Sequence, residues 1–203
     1  MLNLLDASIE RFLRELVPLP ERDVDIAFDA PDKEWGVSVT KPTINLYLWD
    51  VRRNVAEAES GTQVVTDAAG QARRTGPKPR IDCRYLISAW TSDVRDEHAL
   101  LGSVLAAVLP QTEIGEQFLD PRYAGVRPIP AIKVASAGDD DKSDFWSALG
   151  GQLKPGLDLL VTATVEAGLD AASGPPVERY RIDLGGRDGS GRPQQGPRER
   201  WHP

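Results

Sequence analysis

Arg80–Leu109 reads RIDCRYLISAWTSDVRDEHALLGSVLAAVL, one strand feeding one long helix. Ile81, Cys83, Tyr85, Ile87 and Ala89 alternate with Asp82, Arg84, Leu86, Ser88 and Trp90. Period two with β-branched and aromatic residues predicts a strand. Leu86 and Trp90 make its second face partly apolar, so the strand is expected to be central and covered on both sides. Thr91-Ser92-Asp93 is a run of N-cap residues, and Asp93, Asp96 and Glu97 put negative charge where the helix dipole favours it. Val94, His98, Leu101, Leu105 and Val108 then recur at spacings of four and three, an apolar stripe. The opposite face is Ala99, Gly102, Ser103 and Ala106, and no charged residue occurs from Ala99 to Pro110. Such a helix is expected to be buried, either under other elements of its own chain or against a neighbouring subunit.

The chain has 203 residues, enough for one sizeable core. Hydrophobic residues are 40% and charged residues 27%, the balance of an ordinary globular domain. A net charge of −7 argues against a nucleic-acid binder that works through a broadly basic surface. The local basic cluster Arg73-Arg74-Lys78-Arg80 reads as a solvated loop. A single cysteine, Cys83, excludes an intrachain disulfide and reads as a small buried hydrophobe. No run approaches bilayer length and no signal-peptide pattern opens the chain, so a cytoplasmic product without membrane partners is expected.

Elsewhere, Leu2, Leu5, Ile9, Phe12, Leu13 and Leu16 share one face of a predicted helix over 2–17, ended by Pro18 and Pro20. Val24–Phe28 predicts a short strand and Thr43–Val51 a strong one. Residues 52–79 read mainly as a long loop, with Gln63–Thr66 one possible strand of a hairpin. Residues 111–126 read as irregular or weakly helical, Pro128–Val134 as a strand, Ser143–Leu149 as a short helix and Leu157–Val165 as the last clear strand. Val177–Leu184 is a candidate edge strand. Residues 185–203 lack the apolar content to offset their ordering entropy, with Trp201 the one docking candidate. The order predicts an α+β fold: a mixed, mostly antiparallel sheet flanked by two main helices.

The search for chemistry is nearly empty. His98 lies on the helix stripe and His202 near the end. No H-x-x-x-H or C-x-x-C pair supplies a zinc ligand set. No Walker loop and no G-x-S-x-G occurs. Gly138-Asp139-Asp140-Asp141 lacks the alternating ligands of a calcium loop. No catalytic, cofactor or metal residues are assigned. An enzyme or small-ligand binder would start from His98 and Asp82. Trp35, Trp49, Trp90 and Trp146 sit at turns or strand ends, either closing the chain's own core or meeting a partner.

Four stretches carry a family likeness: FDAPDKEW at 28–35, KPTINLYLWDVRRN at 41–54, PRIDCRYLISAWTSDVRDEHALLGSVL at 79–105 and DKSDFWSALGGQLKPGLDLLVTATVE at 141–166. In this order and spacing they resemble the DUF4255 family, similar to the N-terminal domain of the cap, or tail terminator, of phage-tail-like contractile injection systems. The resemblance covers residues 1–168, leaving 169–203 as a flexible C-terminal arm. It implies a phage tail-terminator-like fold and a non-enzymatic assembly protein without cofactors. It further implies a hexameric ring at the baseplate-distal end of the tube and sheath, which ends polymerisation and links sheath to tube. The implied partners are other copies of the chain, the inner-tube protein and the sheath protein. Assembly is expected in the cytoplasm, within a particle that can be released. On that footing Ala99, Gly102, Ser103 and Ala106 are candidate subunit-interface residues. Trp49, Arg52, Arg53, Asp144, Phe145 and Trp146 are candidate tube or sheath contacts. A baseplate or spike adaptor of the same particle is the alternative.

Overall fold

A computed structural model describes residues 1–17, 19, 22–57, 63–66, 72–134, 150, 154–166 and 170–172, with only the backbone described at 63–66, 72–75 and 170–172. The expected central strand, β5 (Arg80–Trp90), is present with the expected bounds. The five-stranded sheet around it has the order β1-β2-β5-β7-β6. Its other members are β1 (Asp25–Ala27), β2 (Thr43–Arg53), β6 (Ala131–Val134) and β7 (Gly156–Thr164). β1 pairs parallel to β2, and the remaining pairs are antiparallel. The fold is therefore α+β with a mixed, mostly antiparallel sheet.

Register sorts the side chains into two faces. Ile44, Leu46 and Leu48 of β2 stand beside Ala89, Ile87 and Tyr85 of β5. Leu157, Leu159, Val161 and Ala163 of β7 continue that face past Ile87, Tyr85, Cys83 and Ile81. Helix α1 (Leu2–Leu16) covers it with Leu5, Ile9, Phe12 and Leu13, spaced at three and four, all buried. The chain leaves α1 in extended conformation at Val17, immediately before Pro18. The buried Ser8 hydroxyl donates to Leu4 O (2.7 Å) and accepts from Asp120 N (2.9 Å), so its burial leaves no polar group unpaired. The Tyr85 hydroxyl donates to Asp6 (2.7 Å), tying α1 to the sheet centre.

Three elements depart from the sequence reading. Helix α2 (Lys33–Ser38) forms where no element was predicted, because Asp32 caps it by accepting from Trp35 N (2.7 Å). Its rings are then pinned: Trp35 meets Trp90 edge-on at 5.1 Å, and Gly36 lies so close to Trp90 that an added Cβ would sit 2.7 Å from the indole. Of residues 52–79, read mainly as a loop, 52–53 end β2 and the possible hairpin strand Gln63–Thr66 is present as β3; its partner, β4 (Ala72–Thr75), was not foreseen. Strand β8 (Asp170–Ala172) pairs with β4, giving a second sheet of order β3-β4-β8. The irregular stretch 111–126 contains one 3-10 turn, Glu116–Phe118, whose Phe118 packs edge-on to Phe12 at 5.5 Å. The predicted helix 143–149, the acidic loop 138–141 and the segments 177–184 and 185–203 lie outside the described residues.

Candidate interaction surfaces

Helix α3 (Val94–Val108) begins where Asp93 Oδ1 accepts from Arg95 N (2.7 Å). Glu97, one turn in, reaches back to accept from Thr91 N (3.3 Å) and pairs with Lys154. Lys154 in turn sits 4.4 Å above the Trp90 ring. A carboxylate therefore anchors the inner side of the helix: Glu97 is 8% exposed, in line with Val104 and Val108. The predicted stripe is off by part of a turn. Val94 is 62% exposed and His98 is exposed, while Leu100, Leu101 and Ala107 pack against the core. Stripe-counting treats glutamate as a solvent residue, and the partner that reverses this lies 57 residues away in sequence.

The outer face holds Ala99, Gly102, Ser103 and Ala106, and all four are exposed. Leu109, 64% exposed, continues this face, and the exposed Arg95 stands one turn before Ala99. Ser103 satisfies its hydroxyl on Ala99 O (3.0 Å), which leaves no strong polar demand on the strip. A Cβ at Gly102 would meet nothing within 4 Å. Glycine in a helix interior costs about 1 kcal/mol relative to alanine, and no neighbour within the chain requires it here.

The other predicted contact residues lie on β2. The ladder with β5 slips between Leu48 and Asp50, which makes Trp49 the extra residue of a bulge. Trp49 is half-buried under the Arg84 guanidinium, 4.6 Å from its centroid. Arg52 and Arg53 are exposed, and Arg52 pairs with Asp50 (2.7 Å). Arg52 stands opposite Asp82 and Arg53 opposite Ile81, so they take opposite faces of the sheet. Trp49 and Arg52 share the face that carries Arg84, away from α1. Asp144, Phe145 and Trp146 lie outside the described residues.

Sequence reading passed over that polar face. Arg84 pairs with the buried Asp158 (2.5 Å). Asp82 accepts from Thr162 Oγ1 (2.7 Å) and Asn54 Nδ2 (3.0 Å). Arg80 donates to Thr162 O (3.2 Å) and pairs with Glu57. The signal was the alternation of Asp82 and Arg84 within an otherwise apolar strand. Asp82 is thus engaged in a sheet-face network, whereas His98 sits on the exposed side of α3, so the two do not form one site.

The thiol and the two tyrosine hydroxyls buried in the core are held neutral. Burial pushes the Cys83 thiol up to about 12, helped by Asp6 and Asp82. Burial and the Asp6 carboxylate push the Tyr85 hydroxyl up, and burial raises Tyr123, which donates to Thr164 O (2.7 Å). No cluster of three or more metal-ligating residues occurs among the described residues. An open groove of about 540 Å³, lined by Arg11, Arg14, Glu15, Gln117 and Phe118, contains none of the predicted residues. No helix among the described residues is long and apolar enough to cross a membrane.

The chain matches a defined family. The profile described as the Pvc16 N-terminal domain matches residues 4–179, and the chain belongs to that family. Two solved structures share the fold. One is the sheath/tube terminator of an extracellular contractile injection system, PVC, in the extended state: TM-score 0.65, 18% identity, over 90% of this chain and 63% of that one. The other is the tube-terminating cap of the anti-feeding prophage: TM-score 0.60, 20% identity, over 91% of this chain and 61% of that one. The chain thus spans about three fifths of these neighbours' length. A comparison with curated proteins finds no match.

Proposed function

We propose that this chain is a structural terminator of a contractile injection system. Copies of it form a ring of six at the baseplate-distal end of the inner tube and sheath, ending tube growth and linking sheath to tube. The observation that carries this reading is the fold shared with two tube terminators over nine tenths of the chain. The uncharged run on the outer face of α3, from Ala99 onward, supports it. An exposed strip about 15 Å long, with small residues followed by Leu109, lets a neighbouring subunit approach closely. Ala99, Gly102, Ser103 and Ala106 form the ring contact in this scheme. Such a contact is heterologous and closes by rotation. Trp49, Arg52 and Arg53, with Asp144, Phe145 and Trp146, face tube or sheath. The role is non-enzymatic.

The test is particle length by electron microscopy after deletion of the gene in its producer. Overlong, variable or missing sheathed tubes are expected. Unchanged particles with an intact distal cap reject the role, and antibody labelling at the spike end would then favour an adaptor. Gly102→Glu addresses the ring contact separately. The added side chain enters open space in the single subunit, so folding persists and ring assembly is lost. Normal rings from this variant remove the α3 face from the interface.

A further inference from the structure

The second sheet repeats the central three strands of the first in order. β2-β5-β7 in the large sheet corresponds to β3-β4-β8 in the small one. Each small strand belongs to the same run of chain as its counterpart: β3 follows β2, β4 precedes β5 and β8 follows β7. In the large sheet the three central strands are flanked on both sides. β1 flanks β2 and β6 flanks β7. The outer side of β6 is occupied in turn, with Ile132 N donating to Thr112 O and Ile114 N to Pro130 O (2.9 Å each). The small sheet has no such cover: among the described residues, neither β3 nor β8 has a partner on its outer side.

Exposed edges are normally blunted by charge, proline or a bulge. Gln63-Val64-Val65-Thr66 has no charged residue and no proline, and its pairing with β4 runs without a bulge. Strands of four, four and three residues are also short for an independent sheet. A further strand would add the backbone hydrogen bonds that neither edge makes among the described residues.

We infer that β3 of one copy pairs with β8 of the next, joining the small sheets of neighbouring copies. This rests on the ring proposed above and names a backbone seam within it. One edge differs from the other, so the contact is heterologous and propagates in one direction until it closes. β3 and β8 each run antiparallel to β4, so they point the same way within a copy. Rotation about a ring axis preserves a strand's direction along that axis. The seam is therefore a parallel pair, and β3–β3 or β8–β8 pairing, which stops at a dimer, is not used.

Cysteine cross-linking of the full chain reads the seam. Val64→Cys with Ala171→Cys, and Val65→Cys with Ala171→Cys, cover both faces of β3, since neighbours on a strand alternate. Within one copy these positions are separated by β4, about 10 Å, beyond disulfide reach. Any disulfide between them therefore joins copies, and the single native thiol, Cys83, is buried. Mass photometry of the unmodified chain, alone and with inner tubes from its producer, runs alongside. One double variant is expected to give a ladder of linked multimers on non-reducing gels, ending in one closed species, while single variants give none. Multimers of the unmodified chain without a ladder in either double variant overturn the seam and leave the ring standing. Dimers from Val64→Cys or Val65→Cys alone do the same. An unmodified chain that stays monomeric, alone and with tubes, overturns ring and seam together.

Discussion

Helices α1 and α3 are each 15 residues long and cover the same side of the sheet, yet they use their surfaces in opposite ways. α1 spends its large apolar residues inward and presents Glu10, Arg11, Arg14 and Glu15 on its other side. α3 buries only Glu97, Val104 and Val108 and, past an exposed first turn with Arg95, Asp96 and His98, leaves leucine and small residues outside. One is a core helix with a solvated back. The other is held by a few contacts and offers a back that is uncharged from Ala99 onward to something else. The difference teaches that an apolar helix sequence need not mean a deeply buried helix.

The largest expected effect lies on α1. Phe12→Ala empties a site 1% exposed and removes the edge contact to Phe118, costing about 4 kcal/mol. Denaturant unfolding of the monomer measures it, and a cost near that of a surface substitution breaks the contrast. On α3 the main anchor is charged. Glu97→Gln leaves Lys154 without its carboxylate and is expected to cost about 2 kcal/mol. A double-mutant cycle with Lys154→Met separates the pair energy from lost packing over Trp90. Smaller and opposite in sign, Gly102→Ala should stabilise the isolated subunit by about 1 kcal/mol, because its Cβ enters open space. Destabilisation in thermal unfolding would show that the outer face is not free within the chain.

The smallest effect is in pH dependence. Burial, opposed by the Tyr85 hydrogen bond, holds the Asp6 carboxyl above its ordinary 3.8. Folded Asp6 then binds its proton more tightly than unfolded Asp6. Its contribution is greatest in acid and declines as pH rises through the raised value. Asp120 has the opposite sign: hydrogen bonds from Arg122 lower its pKa, and its contribution is lost as pH falls below 3.8. Asp6→Asn should flatten the decline just above 3.8 and leave the acid limb. Melting temperatures across about pH 4 to 7 test this, and an unchanged slope would remove Asp6 as its source.

Much of the fold was legible because its strands and α1 obey simple periods. β5 alternates cleanly, and α1 repeats at three and four with prolines beyond. α2 was hidden because its six residues carry no periodic signal and depend on the Asp32 cap and the Trp90 ring. β4 and β8 were hidden because Ala72-Arg73-Arg74-Thr75 and Asp170-Ala171-Ala172 have neither alternation nor apolar content; only pairing makes them strands. Of the candidate surface residues, the small set on α3 could be picked out as one helical face. Its exposure could not, since that depends on which side of α3 the sheet takes.

By itself the sequence determined the types of the longer elements, the α+β class, the identity of the central strand and the uncharged run on α3. These follow from local spacing, which 3.6- and 2-residue periods convert into faces. Tertiary structure alone decided the rotation of α3, the bulge at Trp49, the polar network around Arg84 and the second sheet. Each depends on a partner distant in the chain: Lys154 for Glu97, Asp158 for Arg84, β8 for β4. Local spacing cannot encode which distant group will arrive, because that is settled by packing the whole chain at once.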